Sequence, residues 1–281
     1  MDFENRVAVV TGAGSGIGRG LALEAGERGM DVAVVDVDAE KVAGTLQELQ
    51  QRGTAATGHV VNVADAAAVE ALAEAVYEAH GDVHVLFNNA GVHLDGLSWR
   101  YSNKQWKWLV DIDLMGVVHG VNAFLPRMLN RGNDGIIANT ASIAGLMSFE
   151  YSACYCAAKH AVVGFTETLH LELEAARSRV KVALICPGAV ATAIAKPPTA
   201  LTPPAPSGDC AAPDPRVEEF RSSFAAVIEG GMPADEHAKL VFDEIARGAF
   251  WIISDPTYVT MIEERLRSIK DRRAPVYSSA G

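Results

Sequence analysis

Val7-Ala8-Val9-Val10-Thr11-Gly12-Ala13-Gly14-Ser15-Gly16-Ile17-Gly18-Arg19-Gly20-Leu21 changes its rhythm at the glycines. The run 7–10 is short, apolar and rich in valine, as a strand buried on both faces would be. From Ile17 to Arg28 the apolar residues recur at helical spacing. Between strand and helix, glycine permits a tight turn and lets backbone N–H groups at the helix N-terminus approach a phosphate. A Gly-rich turn alone could be merely a turn. Its place directly after a first strand is what points to a dinucleotide pyrophosphate, cradled by Gly12, Ser15, Gly16, Ile17 and Gly18.

Outward from this unit the alternation repeats. Strands are expected at 7–10, 32–36, 55–60, 83–87, 135–140, 180–185 and 250–253, and helices at 17–28, 39–51, 66–80, 103–130, 155–177 and 234–247. Repeated strand–helix–strand units imply right-handed crossovers, hence an α/β fold: a doubly wound, seven-stranded, mostly parallel sheet with helices on both faces. Ligands of such folds sit beyond the carboxyl ends of the strands.

The 281 residues, 49% hydrophobic and 21% charged, suit one domain spanning 1–281. A net charge of -11 argues against nucleic acid and against anionic membrane as partners. Residues 1–6 form no apolar leader, and the apolar runs read as strand-length, so a cytoplasmic protein is expected. Cys154, Cys156, Cys186 and Cys210 show no paired spacing and read as buried or incidental thiols; the eight histidines show no ligand spacing, and no metal is expected. Prolines crowd 196–215, ahead of a helix-like stretch at 217–228. That break reads either as a solvated linker or as part of a substrate lid over 189–230.

Asp36 ends the second strand, 18 positions after Gly18. A carboxylate there can accept from adenosine ribose hydroxyls, which favours NAD over NADP; the alternative is a strand-end acid, with Asp38 capping the next helix. The fourth strand runs into Asn88-Asn89-Ala90-Gly91, a turn by itself. After the fifth comes Ser142, then Tyr155 thirteen residues on and Lys159 four beyond that. Four-residue spacing puts Tyr155 and Lys159 on one helix face, so the ammonium can stabilise a phenolate. The pair could serve as base and acid for an alcohol and a carbonyl, with the Ser142 hydroxyl polarising the oxygen. A Tyr and a Lys four apart are also a common feature of helix surfaces.

Taken together, the glycine turn, Asp36, Asn88 to Gly91, Ser142, Tyr155, Lys159 and Pro187-Gly188 give the chain a pattern that resembles the short-chain dehydrogenase/reductase family, in its simple one-domain branch, over about 5–192. The resemblance implies a Rossmann-type sheet and a hydride passed between a small-molecule alcohol or ketone and a nicotinamide. Tyr155 would handle the proton, Lys159 also hold the nicotinamide ribose, and Ser142 orient the oxygen. It further places Asn62 and Val63 near the adenine, Asn89, Ala90 and Gly91 along the cleft, and Pro187, Gly188, Val190 and Thr192 near the carboxamide. Asp113 stands where the family usually has an asparagine supporting a proton path through its backbone carbonyl, which an aspartate retains. Homodimers or homotetramers are implied, with Trp99, Trp106 and Trp108 at an interface or in the core. His93, Leu94, Met147, Phe149 and Tyr151 line a substrate pocket or pack the core. Sparse charge between Ala189 and Ala212 suggests a hydrophobic secondary alcohol or ketone. Two other readings are a catalytically silent NAD-binding sensor or scaffold, against which intact Ser142, Tyr155 and Lys159 argue, and an extended-branch sugar-nucleotide epimerase, disfavoured by chain length.

Overall fold

The computed structural model describes residues 2–196, 200–205 and 214–275. Seven parallel strands form one sheet in the order β3-β2-β1-β4-β5-β6-β7, where β1 is Val7–Thr11, β2 Asp31–Asp36, β3 Ala56–Val60, β4 Val85–Asn88, β5 Gly135–Thr140, β6 Val180–Cys186 and β7 Trp251–Ile253. The order reverses between β1 and β4, and that switch point opens a crevice at the strands' carboxyl ends.

Successive residues of each strand feed opposite layers. Ala8 and Val10 pack with α1 (Gly16–Glu27), α2 (Ala39–Gln51) and α8 (Ala234–Ala246), around Leu21, Leu49 and Phe242. Val9, Ala33, Val35 and Leu86 face the other way, onto α3 (Ala66–His80), α5 (Gly116–Arg131) and α6 (Ala153–Ala175), around Leu72, Phe124 and Leu169. Burial on both faces explains why the strands read as continuous apolar runs. The cap expected at Asp38 is present: its side chain accepts from the N–H groups of Glu40 and Lys41.

Two features differ from the sequence reading. The long helix expected at 103–130 is α4 (Asn103–Val110), a wide π-turn at Asp111–Met115, and α5. It is also, by length and composition, apolar enough to cross a membrane, although 56% of its most apolar window is buried inside the protein. Among the described residues a further helix, α9 (Thr257–Lys270), follows β7 where none was expected; Val259, Ile262, Leu266 and Ile269 recur along it at helical spacing, yet only Ser268 on it is buried. The helix-like stretch 217–228 is α7 (Pro215–Glu229), capped by Asp214. Of the proposed lid, 197–199 and 206–213 lie outside the described residues, as does Cys210; Cys154, Cys156 and Cys186 are buried free thiols.

Candidate active site

The turn after β1 is shaped by close approach. Gly12 has φ 68°, and a Cβ there would come within 2.9 Å of the Ala90 backbone. A Cβ on Gly18 would meet the Gly12 carbonyl oxygen at 2.1 Å. Ser15 is the extended N-cap of α1 with no side-chain cap bond, and the first turn holds no acid. The helix start thus keeps donors and a positive dipole end toward the crevice, as an anion requires.

Asp36 is anchored at the end of β2: one carboxylate oxygen accepts from Gly14 N (2.9 Å) and the other from Asp38 N (3.0 Å). Asn89 stitches β4 to β1, donating its backbone N–H to Thr11 Oγ1 (2.9 Å) and its side-chain amide to Thr11 O (3.0 Å). Ala90 N donates to the same hydroxyl at 3.0 Å. Thr11 was not singled out from sequence; a hydroxyl at the last position of a buried valine strand is the signal that could have found it. Asn62 Oδ1 receives the Ala64 N–H (3.0 Å), shaping the turn after β3.

Ser142 caps the short 3-10 turn Ile143–Gly145, accepting from Ala144 N, and reaches the Tyr155 phenol. Tyr155 lies in the first turn of α6, and burial pushes its phenol up from the usual 10.0, while Lys159 and the Ser142 hydrogen bond oppose this. Lys159 Nζ sits 5.5 Å from the Tyr155 ring centroid, donates to Thr140 O at 3.2 Å, and is itself 3% exposed. Burial works against its ammonium, but Asp113 and Tyr155 outweigh that and raise its pKa. Asp113, projecting from the π-turn, is wholly buried; its Oδ2 lies 3.2 Å from Lys159 Nζ and its Oδ1 accepts from Val92 N at 2.8 Å. The side chain, beyond the backbone carbonyl considered from sequence, therefore touches the lysine.

Past β6, Ile143 N donates to Pro187 O (3.0 Å), Gly188 N to Ser254 Oγ (3.1 Å), and 189–191 pairs with Met232 at the end of α7's connection. The Thr192 side chain rests on Gly16. One cleft with room for about 460 Å³ is lined by Gly12, Ser15 to Gly18, Asp36, Asn62, Val63, Asn89 to Gly91, Ser142, Tyr155, Lys159, Pro187, Gly188, Val190 and Thr192, with Asp113 just behind its wall.

At the far end of the cleft the surroundings are aromatic. His93 meets Tyr155 edge-on (5.0 Å) and Phe224 at 4.6 Å; Phe224 stacks on Phe220 (5.8 Å, 6°), and Phe220 meets Tyr151 (5.4 Å). Burial lowers the His93 pKa to about 4, so the imidazole is neutral at pH 7. An ion pair between Arg221 and Asp95 (2.7 Å) ties α7 to the loop after β4. Phe149 lines the cleft too, whereas Met147 is core and Leu94 packs beside α4. Trp106 and Trp108 pack in that same cluster, and Trp99 is exposed. Phe220, Phe224 and Tyr258 line the site but were missed. The four-residue spacing on α7 could have revealed the two phenylalanines; nothing in the sequence marks Tyr258.

The glycine cradle, the open helix start and the anchored acid fit a dinucleotide, and similarity to known proteins agrees. The family model for short chain dehydrogenases matches residues 6–200. The chain belongs to the short-chain dehydrogenase family. A short-chain dehydrogenase/reductase of Burkholderia phymatum, solved in complex with NAD, superposes with a TM-score of 0.93 at 37% identity, covering 100% of both chains. A CLA biosynthesis dehydrogenase/reductase of Lactiplantibacillus plantarum is 32% identical over 277 residues, 98% of this chain and 96% of that protein. A cyclohexanol dehydrogenase of an Acinetobacter species is 35% identical over 191 residues, 68% of this chain and 75% of that protein. This short-chain dehydrogenase is accordingly an oxidoreductase of the NAD(P)-binding, Rossmann-type class.

Proposed function

We propose that this short-chain dehydrogenase interconverts a neutral, hydrophobic secondary alcohol and its ketone, using NAD in preference to NADP, with Tyr155 as the proton-transferring residue. The observation that carries the reading is the convergence of Ser142, Tyr155 and Lys159 at one end of the glycine-lined cleft. A bound nicotinamide would supply or accept the hydride. Ser142 would hold the substrate oxygen beside the Tyr155 phenol. In reduction the phenol donates its proton to that oxygen, and in oxidation the phenolate takes it. Lys159 holds positive charge close to the ring, favouring the phenolate.

NAD is supported by Asp36, whose anchored carboxylate suits a ribose diol and repels a 2'-phosphate. Arg19, the cation that could have offset this, is paired with Glu48 on α2. Lys41 lines the same corner and lies 3.4 Å from Asp38. The hydrophobic substrate is supported by Phe149, Phe220, Phe224, Val227 and Ile228 along the far wall, with His93 neutral. Relatives named for cyclohexanol and for dehydrogenase/reductase chemistry point the same way.

The test is a panel of secondary alcohols and ketones of graded size and charge, followed through NADH absorbance. Turnover of apolar cyclic or aryl members, with acids rejected, is the expected result. Turnover confined to charged substrates would refute the hydrophobic assignment, and binding of NAD without any turnover would favour a silent cofactor-binding scaffold.

A further inference from the structure

Asp113 has a side chain that the proton-transfer scheme above does not use. It sits on the only π-turn among the described residues, wholly buried, at 3.2 Å from the ammonium of Lys159. The groups facing this pair are few. Lys159 faces Asp113, Tyr155, the Cys186 thiol of β6 and the Thr140 carbonyl of β5. Asp113 faces Lys159, the Val92 N–H and the Cys154 thiol of α6. Tyr155 faces Lys159, Asp113, Ser142, Cys156 and the His93 ring.

We propose that Asp113 acts through its carboxylate, as a positioning residue that pins Lys159 and balances its charge while the Tyr155 phenol still keeps its proton. This rests on Tyr155 being the proton-transferring group. A buried ammonium demands a counter-ion. Burial pushes the Asp113 carboxyl up, and Lys159 and the Val92 N–H pull it down; ionised by the ammonium 3.2 Å away, the carboxylate fills that role and the phenol can stay protonated. With an uncharged isostere, the tyrosinate becomes the available counter-ion, so the Tyr155–Lys159 pair gives up its first proton at a lower pH, whichever of the two loses it.

The consequence is directional. In carbonyl reduction a hydride leaves the reduced nicotinamide for the carbonyl carbon, and the phenol proton goes to the oxygen; nicotinamide is oxidised and ketone reduced. Asp113 extends to higher pH the range over which that proton is present. Alcohol oxidation, which needs the phenolate, is correspondingly moved to higher pH.

Asp113→Asn keeps the shape and the acceptor for the Val92 N–H while deleting the charge; Asp113→Ala deletes both. Two readouts apply: ultraviolet difference titration of the Tyr155 phenol in the NAD complex, taken against Tyr155→Phe, and the pH profile of kcat for alcohol oxidation. Asp113→Asn should lower the phenol midpoint by about one pH unit or more, tenfold in proton affinity, and move the acid limb of oxidation equally. Asp113→Glu should restore part of the difference. An unchanged midpoint, with turnover reduced evenly at every pH, would overturn the proposal and leave Asp113 as packing. A shifted midpoint in a protein that turns over no alcohol would uphold the charge coupling and reject the dehydrogenase reading instead. If Asp113→Asn does not fold, the double variant Asp113→Asn/Lys159→Met should fold, because both charges are gone; failure of the double variant as well would overturn the proposal.

Discussion

Replacing Tyr155 by phenylalanine keeps the ring that packs edge-on against His93 and removes only the exchangeable proton. A positioned general acid–base contributes on the order of a hundredfold or more. Tyr155→Phe should therefore cost at least that in kcat while NAD affinity, read by fluorescence titration, stays near the wild-type value. Lys159→Ala acts differently, because it removes the phenolate's partner, the donor to Thr140 O and the counter-ion of Asp113 together. Both turnover and stability should fall, the latter because a buried carboxylate is left unpaired. At the adenosine end, wild-type kcat/KM should favour NAD over NADP by at least tenfold, about 1.4 kcal/mol. Asp36→Ala should narrow that ratio chiefly through better use of NADP; an unchanged ratio would reduce Asp36 to a strand-end acid.

At the level of elements, Gly120 on α5 lies so close to β4 that a Cβ would meet Asn88 Oδ1 at 2.0 Å. Gly120→Ala should lower Tm by several degrees, an overpacking cost of about 1–3 kcal/mol, and disturb the chain of amides from Asn88 through Asn139 to Thr166 that joins sheet to α6. His237 on α8 is fully buried, and neither ring nitrogen has a hydrogen-bond partner among the described residues. Burial lowers its pKa from 6.5 to about 4, so the unfolded chain takes up the proton first as pH falls. The neutral ring's contribution is intact above pH 6.5 and is lost between there and about 4, a drop of about 3 kcal/mol in all. His237→Leu should flatten the fall of Tm between neutral and mildly acid pH; an unchanged slope would assign it to other groups, of which His93 is one. These elements also show what the sequence makes legible. Strands such as β1 and β2 are buried on both faces, so their valine runs declare them, and the glycine turn declares the crevice. Asp113's contact is not legible, because a π-turn shifts the side-chain register by one residue within an otherwise helical pattern. The helix α9, by contrast, was legible in the 3-4-3 spacing of Val259, Ile262, Leu266 and Ile269 and was missed from the sequence reading. The aromatic wall joins residues more than a hundred positions apart, and no local pattern encodes that meeting.

Across the whole molecule, β7 is an edge strand of three residues; Trp251 on it, and Leu266 and Ile269 on α9, the helix that follows it in the chain, expose 41%, 56% and 58% of their surface. Apolar surface next to an unpaired strand edge is commonly covered by a neighbour. We expect a homodimer or homotetramer using this end of the sheet; sedimentation of the wild type against Leu266→Glu/Ile269→Glu should show the larger species converted to a smaller one. A monomeric wild type would contradict this. The cleft is also divided by position along the chain. Groups assigned to hydride and proton transfer fall between Gly12 and Thr192, whereas Phe220, Phe224, Val227 and Ile228 all belong to α7, held across the cleft by the Arg221–Asp95 pair and by the ring contacts of Phe224 with His93 and of Phe220 with Tyr151. Such a layout makes α7 a transplantable cassette: exchanging it between relatives, with the acidic partner at position 95 kept, would let new substrate preferences be bred on an untouched reaction centre.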